Sequence, residues 1–289
     1  MTDTIIVGCG YVGSRLARRY LDRGLGVTGV VRSEDGVARL VAEGIPARRC
    51  DLARDEPDAL PFEGAQLFYL APPPNQGVED SSLGRLVDAF ERVGHPKRVL
   101  YLSTTGVYGD CQGAWVDETH PTEPTQDRSR RRLNAEDRLR AWSRSSGAEL
   151  VVLRVGGIYG PGRLPLDRIR RAVPMVRADE APYTNRIHVE DLVEVCVAAM
   201  DNGVDGAIYN VSDGHPSSMT DYFMQVAEAA GLEPPPLISL AEADGQLSAG
   251  MMSYMGESRR LSNRKLREEL GVELRYPTLI EGLCACGLA

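Results

Sequence analysis

Three groups of residues in this chain could do chemistry. The first is Gly8-Cys9-Gly10-Tyr11-Val12-Gly13, a GxGxxG spacing. In such a turn the first glycine permits the bend and the second lets backbone approach a pyrophosphate. The third lets a helix pack on a strand. The amides and dipole of the helix that follows then hold phosphate. The second group is the run Asp127-Arg128-Ser129-Arg130-Arg131-Arg132-Leu133-Asn134-Ala135-Glu136. Its Arg128 and Arg132 are four apart and share one helical face. The third is a scarcity: the chain has 31 arginines and two lysines, Lys97 and Lys265. Any step that needs a lysine must use one of those two.

The glycine turn follows the apolar run Thr4-Ile-Ile-Val and opens a segment with helical spacing through Val12, Leu16 and Tyr20. That context turns a weak motif into a dinucleotide site holding Gly8, Gly10, Tyr11, Val12 and Gly13. The next strand ends Val30-Val31-Arg32-Ser33. An NAD site places Asp or Glu about there to hold the ribose hydroxyls. Here Arg32 can pair with a 2′-phosphate and Ser33 adds a hydroxyl, so the expected cofactor is NADP, with NAD second. The competing reading gives Glu34 or Asp35 to an NAD ribose. Asp51 and Leu52, after the third strand, are expected at the adenine, and Ala71, at the end of the fourth, beside the cofactor.

These residues need a scaffold, and the chain supplies one. Strand-like runs at Val27–Val31, Gln66–Ala71, Arg98–Ser103 and Glu149–Val155 alternate with helical segments. Leu83, Leu86, Val87 and Phe90 mark one helical face, and the arginine-rich helix runs from about Asp127 to Ser145. Repeated βα units imply an α/β fold, a Rossmann-type doubly wound parallel sheet. After Gly162 the regularity weakens. We expect a dinucleotide-binding domain over 1–165 plus about 191–215, and a smaller α/β substrate domain over 166–190 and 216–289.

Composition bounds the function. Of 289 residues 43% are hydrophobic, enough for a sizeable core, and the net charge of −8 argues against a nucleic-acid partner. The six cysteines are scattered without metal-ligand spacing, so no metal is expected. The N-terminus lacks the pattern of a signal peptide and no apolar run is long enough to span a membrane. The expected location is the cytoplasm, and the expected partner a small-molecule substrate.

Further motifs carry a resemblance. Ser103-Thr-Thr-Gly-Val-Tyr-Gly-Asp110 resembles the SS(x)xxVYG element of the extended short-chain dehydrogenases/reductases, the NAD(P)-dependent epimerase/dehydratase family. Leu153-Arg154 through Ile158-Tyr-Gly-Pro-Gly162 resembles its LR…YGPG element, and Ile187-His-Val-Glu-Asp191 its HVxD element. Ala207–Val211 and the stretch from Ser262 to Pro277 resemble later segments. The resemblance spans nearly the whole chain in order. It implies that Thr104 bonds the substrate oxygen, and that a tyrosine in a YxxxK pair serves as acid/base while the lysine tunes it and holds the nicotinamide ribose.

That pair is missing. Val93 and Leu261 stand four residues before the two lysines. Counting from Pro124 and Glu136 puts Arg128 at the tyrosine position and Arg132 at the lysine position. Arg132 can bond a ribose, but a guanidinium stays protonated and cannot be a tuned acid. Thr105 and Gly106 replace the acidic residues of the family's dehydratases, so sugar 4,6-dehydration is not expected. Asp80 or Glu79 stands in for the asparagine of the family's proton relay. Substitute proton donors are Tyr108, Tyr159, His188, Asp110, Asp117 and Glu118, against packing or capping roles for each. Thr104, Tyr108 and Arg132 form the expected catalytic set. The activity expected is an NADP-dependent oxidoreductase or epimerase-like reaction on a polar substrate, with a nucleotide-sugar or another anionic compound as the options. Arg128, Arg163 and Arg186 motivate the anion. The alternative is an NADP(H)-binding sensor or scaffold without proton transfer. By analogy, the helix from Leu83 and the arginine-rich helix could pair two subunits as a homodimer.

Overall fold

A computed structural model describes residues 3–288. Seven parallel strands form the central sheet. Strands β1 (Thr4–Val7), β2 (Val27–Val31), β3 (Ala47–Arg49), β4 (Gln66–Tyr69) and β5 (Arg98–Thr104) are joined by Glu149–Val155 and Ile208–Val211. The spatial order is Ile208–Val211, Glu149–Val155, β5, β4, β1, β2, β3. The chain therefore winds one way from β1 to β3 and the other way from β4 onward. The crevice between β1 and β4, at the carboxyl ends of the strands, is where such sheets bind ligands. The fold matches the α/β reading.

Helix α1 (Tyr11–Asp22) buries Val12, Leu16, Ala17 and Tyr20 on one face of the sheet. It packs there with the helix Val189–Asn202. Helix α2 (Glu34–Ala42) is capped by Ser33, whose hydroxyl accepts from Gly36 N. On the opposite face, α3 (Ser81–Val93) is capped by Asp80, which accepts from Leu83 N at 3.0 Å. Beside it lies α4 (Asp127–Ser146), stopped by Gly147 in the left-handed conformation. One apolar core fills each face of the sheet.

A third apolar core lies outside the sheet, built from Ile169, Met175, Phe223, Val226, Leu247 and Leu283. It joins the segment after Gly162 to the C-terminal segment. Short strand pairs tie the two together: Leu237–Ile238 lies parallel on Met175–Val176, and Ser217–Ser218 antiparallel on Tyr183–Thr184. The sequence showed no element at 249–255. The structure has a helix there, Ala249–Met255, capped by the Ser248 hydroxyl. Among the described residues no helix is long and apolar enough to cross a membrane.

Candidate active site

The glycine turn is shaped by contact. Gly8 has φ +84°, and a Cβ there would lie 2.5 Å from Ala71 N, at the end of β4. A Cβ on Gly13 would meet Gly8 O at 3.0 Å and Ile6 Cγ2 at 3.1 Å. Around Gly10 only Gly8 O comes within 4 Å, at 3.9 Å. The first and third glycines thus close the turn and seat α1, while the second leaves open space. No side chain caps α1, whose leading amides face the β1/β4 crevice at Gly8–Gly13. A glycine cradle under an uncapped helix N-terminus fits a dinucleotide pyrophosphate. Tyr11 donates its hydroxyl to Pro161 O at 2.9 Å and stacks between the Arg15 and Arg163 guanidinium groups.

At the edge of this crevice Arg32 is exposed and Ser33 caps α2. Glu34, the rival candidate, is within 3.3 Å of Arg49. Asp51 is folded onto its own loop: its Oδ1 accepts from Ala53 N at 3.1 Å. Leu52 is buried in the core.

A cleft of about 760 Å³ opens beside the crevice, at the carboxyl ends of β5 and Glu149–Val155. Its floor includes Thr104, Gly106, Arg128 and Arg132, and its far wall Arg186, Tyr222 and Tyr254. Thr104 closes β5, and its hydroxyl accepts from Gly106 N at 3.3 Å. A Cβ on Gly106 would meet Ser129 Oγ at 2.5 Å, so α4 lies against this turn. Thr104, Arg128 and Arg132 are thereby brought into one cleft.

Arg132 is anchored through a single nitrogen. Its Nη1 donates to Ala71 O at 3.2 Å, Leu102 O at 3.1 Å and the Tyr101 hydroxyl at 3.3 Å. It spans the ends of β4 and β5, where the nicotinamide half of a dinucleotide would lie. Burial pushes the Tyr101 phenol up to about 12, against the pull of Arg132, so Tyr101 stays protonated. Arg128 donates to Ser253 Oγ at 2.9 Å and sits 4.1 Å from the centre of the Tyr254 ring.

The structure corrects the choice of Tyr108. Its side chain is buried in a small core with Val107, Val116 and Leu261. Its hydroxyl donates to Asn210 Oδ1 at 2.7 Å, and Arg154 covers its ring. Burial raises its pKa, and it does not line the cleft. Tyr108 is a packing residue because the tight 3-10 turn Thr105–Tyr108 swings it under the sheet end.

Other substitutes also have structural partners. Glu118 accepts from Asn210 N at 2.7 Å, Asp110 from Ser258 N at 2.9 Å, and Asp117 from Thr119 N at 2.9 Å. His188 Nδ1 accepts from Glu190 N at 3.3 Å and so caps the Val189–Asn202 helix. Asp191 holds the amides of Arg275 and Tyr276 at 2.8 and 3.0 Å. Tyr159 does line the cleft, but its hydroxyl is buried against Gly282 and lacks a partner among the described residues. Asp80, expected with Glu79 as an alternative for the relay position, is buried as the cap of α3.

Several residues of this cleft gave no signal in the sequence. Ser253 and Tyr254 lie on the helix that was not anticipated. Arg168 and Arg259 also line the cleft, and Arg259 pairs with Glu257 at 3.0 Å. They join Arg128, Arg163 and Arg186, which the sequence suggested for an anion.

The sequence is 30% identical over 290 residues to Protein YeeZ of Escherichia coli (strain K12), covering 96% of this chain and 97% of that protein. The profile of the NAD dependent epimerase/dehydratase family matches residues 83–212. The chain belongs to this family. Among solved structures, a functionally unknown conserved protein from Silicibacter pomeroyi DSS superposes with a TM-score of 0.86 at 34% identity, covering 99% of this chain and 98% of that one. UDP-glucuronic acid 4-epimerase from Bacillus cereus, solved with NAD, superposes at 0.79 with 16% identity over 98% of this chain and 97% of its own, a likeness of fold. Within the epimerase/dehydratase family, then, this chain has a glycine turn at Gly8–Gly13 and a cleft lined by Thr104, Arg128 and Arg132.

Proposed function

We propose that this protein is an NADP-dependent oxidoreductase or epimerase-like enzyme acting on a small polar substrate with an anionic group. The observation that carries the reading is the meeting of Thr104, Arg128 and Arg132 in a cleft that adjoins the glycine crevice. The bound dinucleotide supplies or accepts hydride. The residues of this chain do the rest. Gly8, Gly10 and the amides of Tyr11, Val12 and Gly13 hold the pyrophosphate. Arg32 and Ser33 read the 2′-phosphate, Asp51 and Leu52 border the adenine, and Ala71 with Arg132 fixes the ribose next to nicotinamide. Thr104 orients the reacting oxygen. Segments 166–190 and 216–289 supply the substrate side of the cleft.

Proton transfer needs a donor within hydrogen-bond reach of the substrate oxygen. With Tyr108 in the core, that donor is water or a phenol of the cleft wall.

Two measurements test the reading. NADPH and NADH affinities come from quenching of cofactor fluorescence. NADPH oxidation is then followed with nucleotide-linked ketosugars and small anionic carbonyl compounds. Turnover that Thr104→Val removes, with cofactor affinity retained, supports an enzyme. Tight NADPH binding with no turnover on either class favours a sensor or scaffold.

A further inference from the structure

The cleft has an unusual charge. It contains six arginines and one acidic residue, Glu257, which is paired with Arg259. Arg128, Arg132, Arg163, Arg168 and Arg186 form no ion pair among the described residues. Elsewhere the arginines are largely neutralised, as in the Arg92–Asp58, Arg39–Glu43, Arg138–Asp88 and Arg15–Glu190 pairs. The whole chain carries −8. Uncompensated guanidinium groups in a concave site repel one another and raise the local concentration of anions. Arg163 covers Tyr11 at the pyrophosphate cradle, whereas Arg128, Arg168 and Arg186 line the cleft away from those glycine and amide groups.

Within this set Arg128 has a special place. It is one helical turn before Arg132 and shares the cleft floor with Thr104. Its guanidinium is held on two sides, by the Ser253 hydroxyl at 2.9 Å and the Tyr254 ring at 4.1 Å. A planar fork fixed in this way matches the two oxygens of a carboxylate or phosphate and loses little entropy on binding one.

Building on the proposed function, we propose that Arg128 binds an anionic group that the substrate carries close to its reacting carbon. Where relatives with YxxxK set a phenol beside the reacting oxygen, this chain sets a cation. The substrate class is a carbonyl or hydroxyl compound with a carboxylate or phosphate near the redox carbon. The two sources share one chemistry, a dianion or planar monoanion read by a guanidinium fork.

The test is calorimetric titration of the full chain, saturated with NADP⁺, in chloride-free buffer. The probes are malonate, inorganic phosphate and UDP. One saturable site for malonate or phosphate is expected, and the preferred probe tells carboxylate from phosphate. Arg128→Gln should weaken it about tenfold or more, the effect of one lost charge-assisted hydrogen bond. Arg128→Lys, which keeps the charge and loses the fork, should fall between, and Arg267→Gln, outside the cleft, should match the parent chain. Far-UV dichroism and thermal midpoints confirm folding. If Arg128→Gln does not fold, the lysine variant carries the test with the same expected order. The proposal is overturned if neither small anion saturates, or if only UDP binds with an affinity that Arg128→Gln leaves within twofold. NADPH quenching keeps the two readings apart. Bound NADPH without an anion site overturns this proposal alone, whereas failure to bind NADPH overturns the functional reading beneath it.

Discussion

The carboxylate of Glu136 on α4 and the guanidinium of Arg154 in the Glu149–Val155 strand form a buried ion pair, with Nη2 and Oε2 2.8 Å apart. Arg154 Nε donates to the other oxygen at 3.1 Å, and Ser103 Oγ donates to it at 2.6 Å. Arg140 adds a bond from the solvent side. Glu136 therefore ties α4 to the ends of two central strands. Since Arg128 and Arg132 are two turns and one turn earlier on α4, this network sets where both guanidinium groups stand.

Removing one partner leaves the other charge buried and unpaired. Glu136→Ala is expected to destabilise the fold by about 3–5 kcal/mol. Denaturant unfolding followed by far-UV dichroism measures it. A loss under about 1 kcal/mol would mean that the network does not hold α4.

Gly8→Ala tests the crevice. The new Cβ meets the Ala71 amide at 2.5 Å, on a backbone with φ +84° that disfavours any side chain. The end of β4 must shift, and the cradle shifts with it. We expect NADPH affinity to fall at least tenfold. Gly10→Ala starts from open space in the free protein, so its loss of affinity would come from contact with the cofactor alone. A smaller thermal-midpoint loss for Gly10→Ala than for Gly8→Ala separates these two causes.

How far the sequence spoke depended on whether the information was local. The glycine turn, the parallel sheet and the position of Thr104 rest on short motifs with a fixed chain direction, and they are legible. Arg128 and Arg132, four apart, were expected on one helical face, and both line the cleft because a helix keeps its period. Tyr108 misled because its motif fixes its place in the chain while the 3-10 turn after Thr104 decides which way it faces. His188, a candidate proton donor by sequence, caps a helix for a similar reason: the cap is chosen by backbone geometry at the helix start, while Asp191 answers to amides 84 residues away. The Tyr254 wall of the cleft depends on tertiary packing and left no pattern to read.

Tyr108→Phe follows from that correction. The hydroxyl lost is the donor to Asn210 Oδ1. Stability should fall by about 1 kcal/mol, and any turnover measured on the cleft should stay within twofold. A loss of turnover of a hundredfold, at unchanged cofactor affinity, would restore Tyr108 as the proton donor.

Asp213 gives stability a pH dependence. It follows the Ile208–Val211 strand and is nearly fully buried, and burial raises its carboxyl to about 6 despite the His215 amide and Arg186. In the unfolded chain it titrates near 3.8. Between those values the folded state holds the proton that the unfolded state has lost. Stability contributed by this group is thus full below pH 4 and declines as pH rises through 6. Above that range the burial of its charge costs on the order of 2–3 kcal/mol. Asp213→Asn keeps an acceptor for the His215 amide and removes the titration. The variant should lose this component of the pH 4–6 slope and gain stability at pH 7. An unchanged slope in urea-unfolding measurements would show that Asp213 does not titrate there.

The proposed preference for NADP rests on Arg32. It is exposed at the end of β2 and forms no ion pair among the described residues, while Glu34 lies 3.3 Å from Arg49. A free guanidinium beside a partly neutralised carboxylate favours a 2′-phosphate over bare ribose hydroxyls. NADPH should therefore bind more tightly than NADH. Arg32→Ala should weaken NADPH about tenfold to a hundredfold and leave NADH within about twofold, since only the phosphate contact is removed. Raising salt from low to physiological should narrow the NADPH preference, because an exposed pair is screened. Equal losses for both cofactors would mean that Arg32 supports the loop rather than reads the phosphate. An unchanged NADPH affinity would return the ribose to Glu34 or Asp35, and with it the choice of NAD.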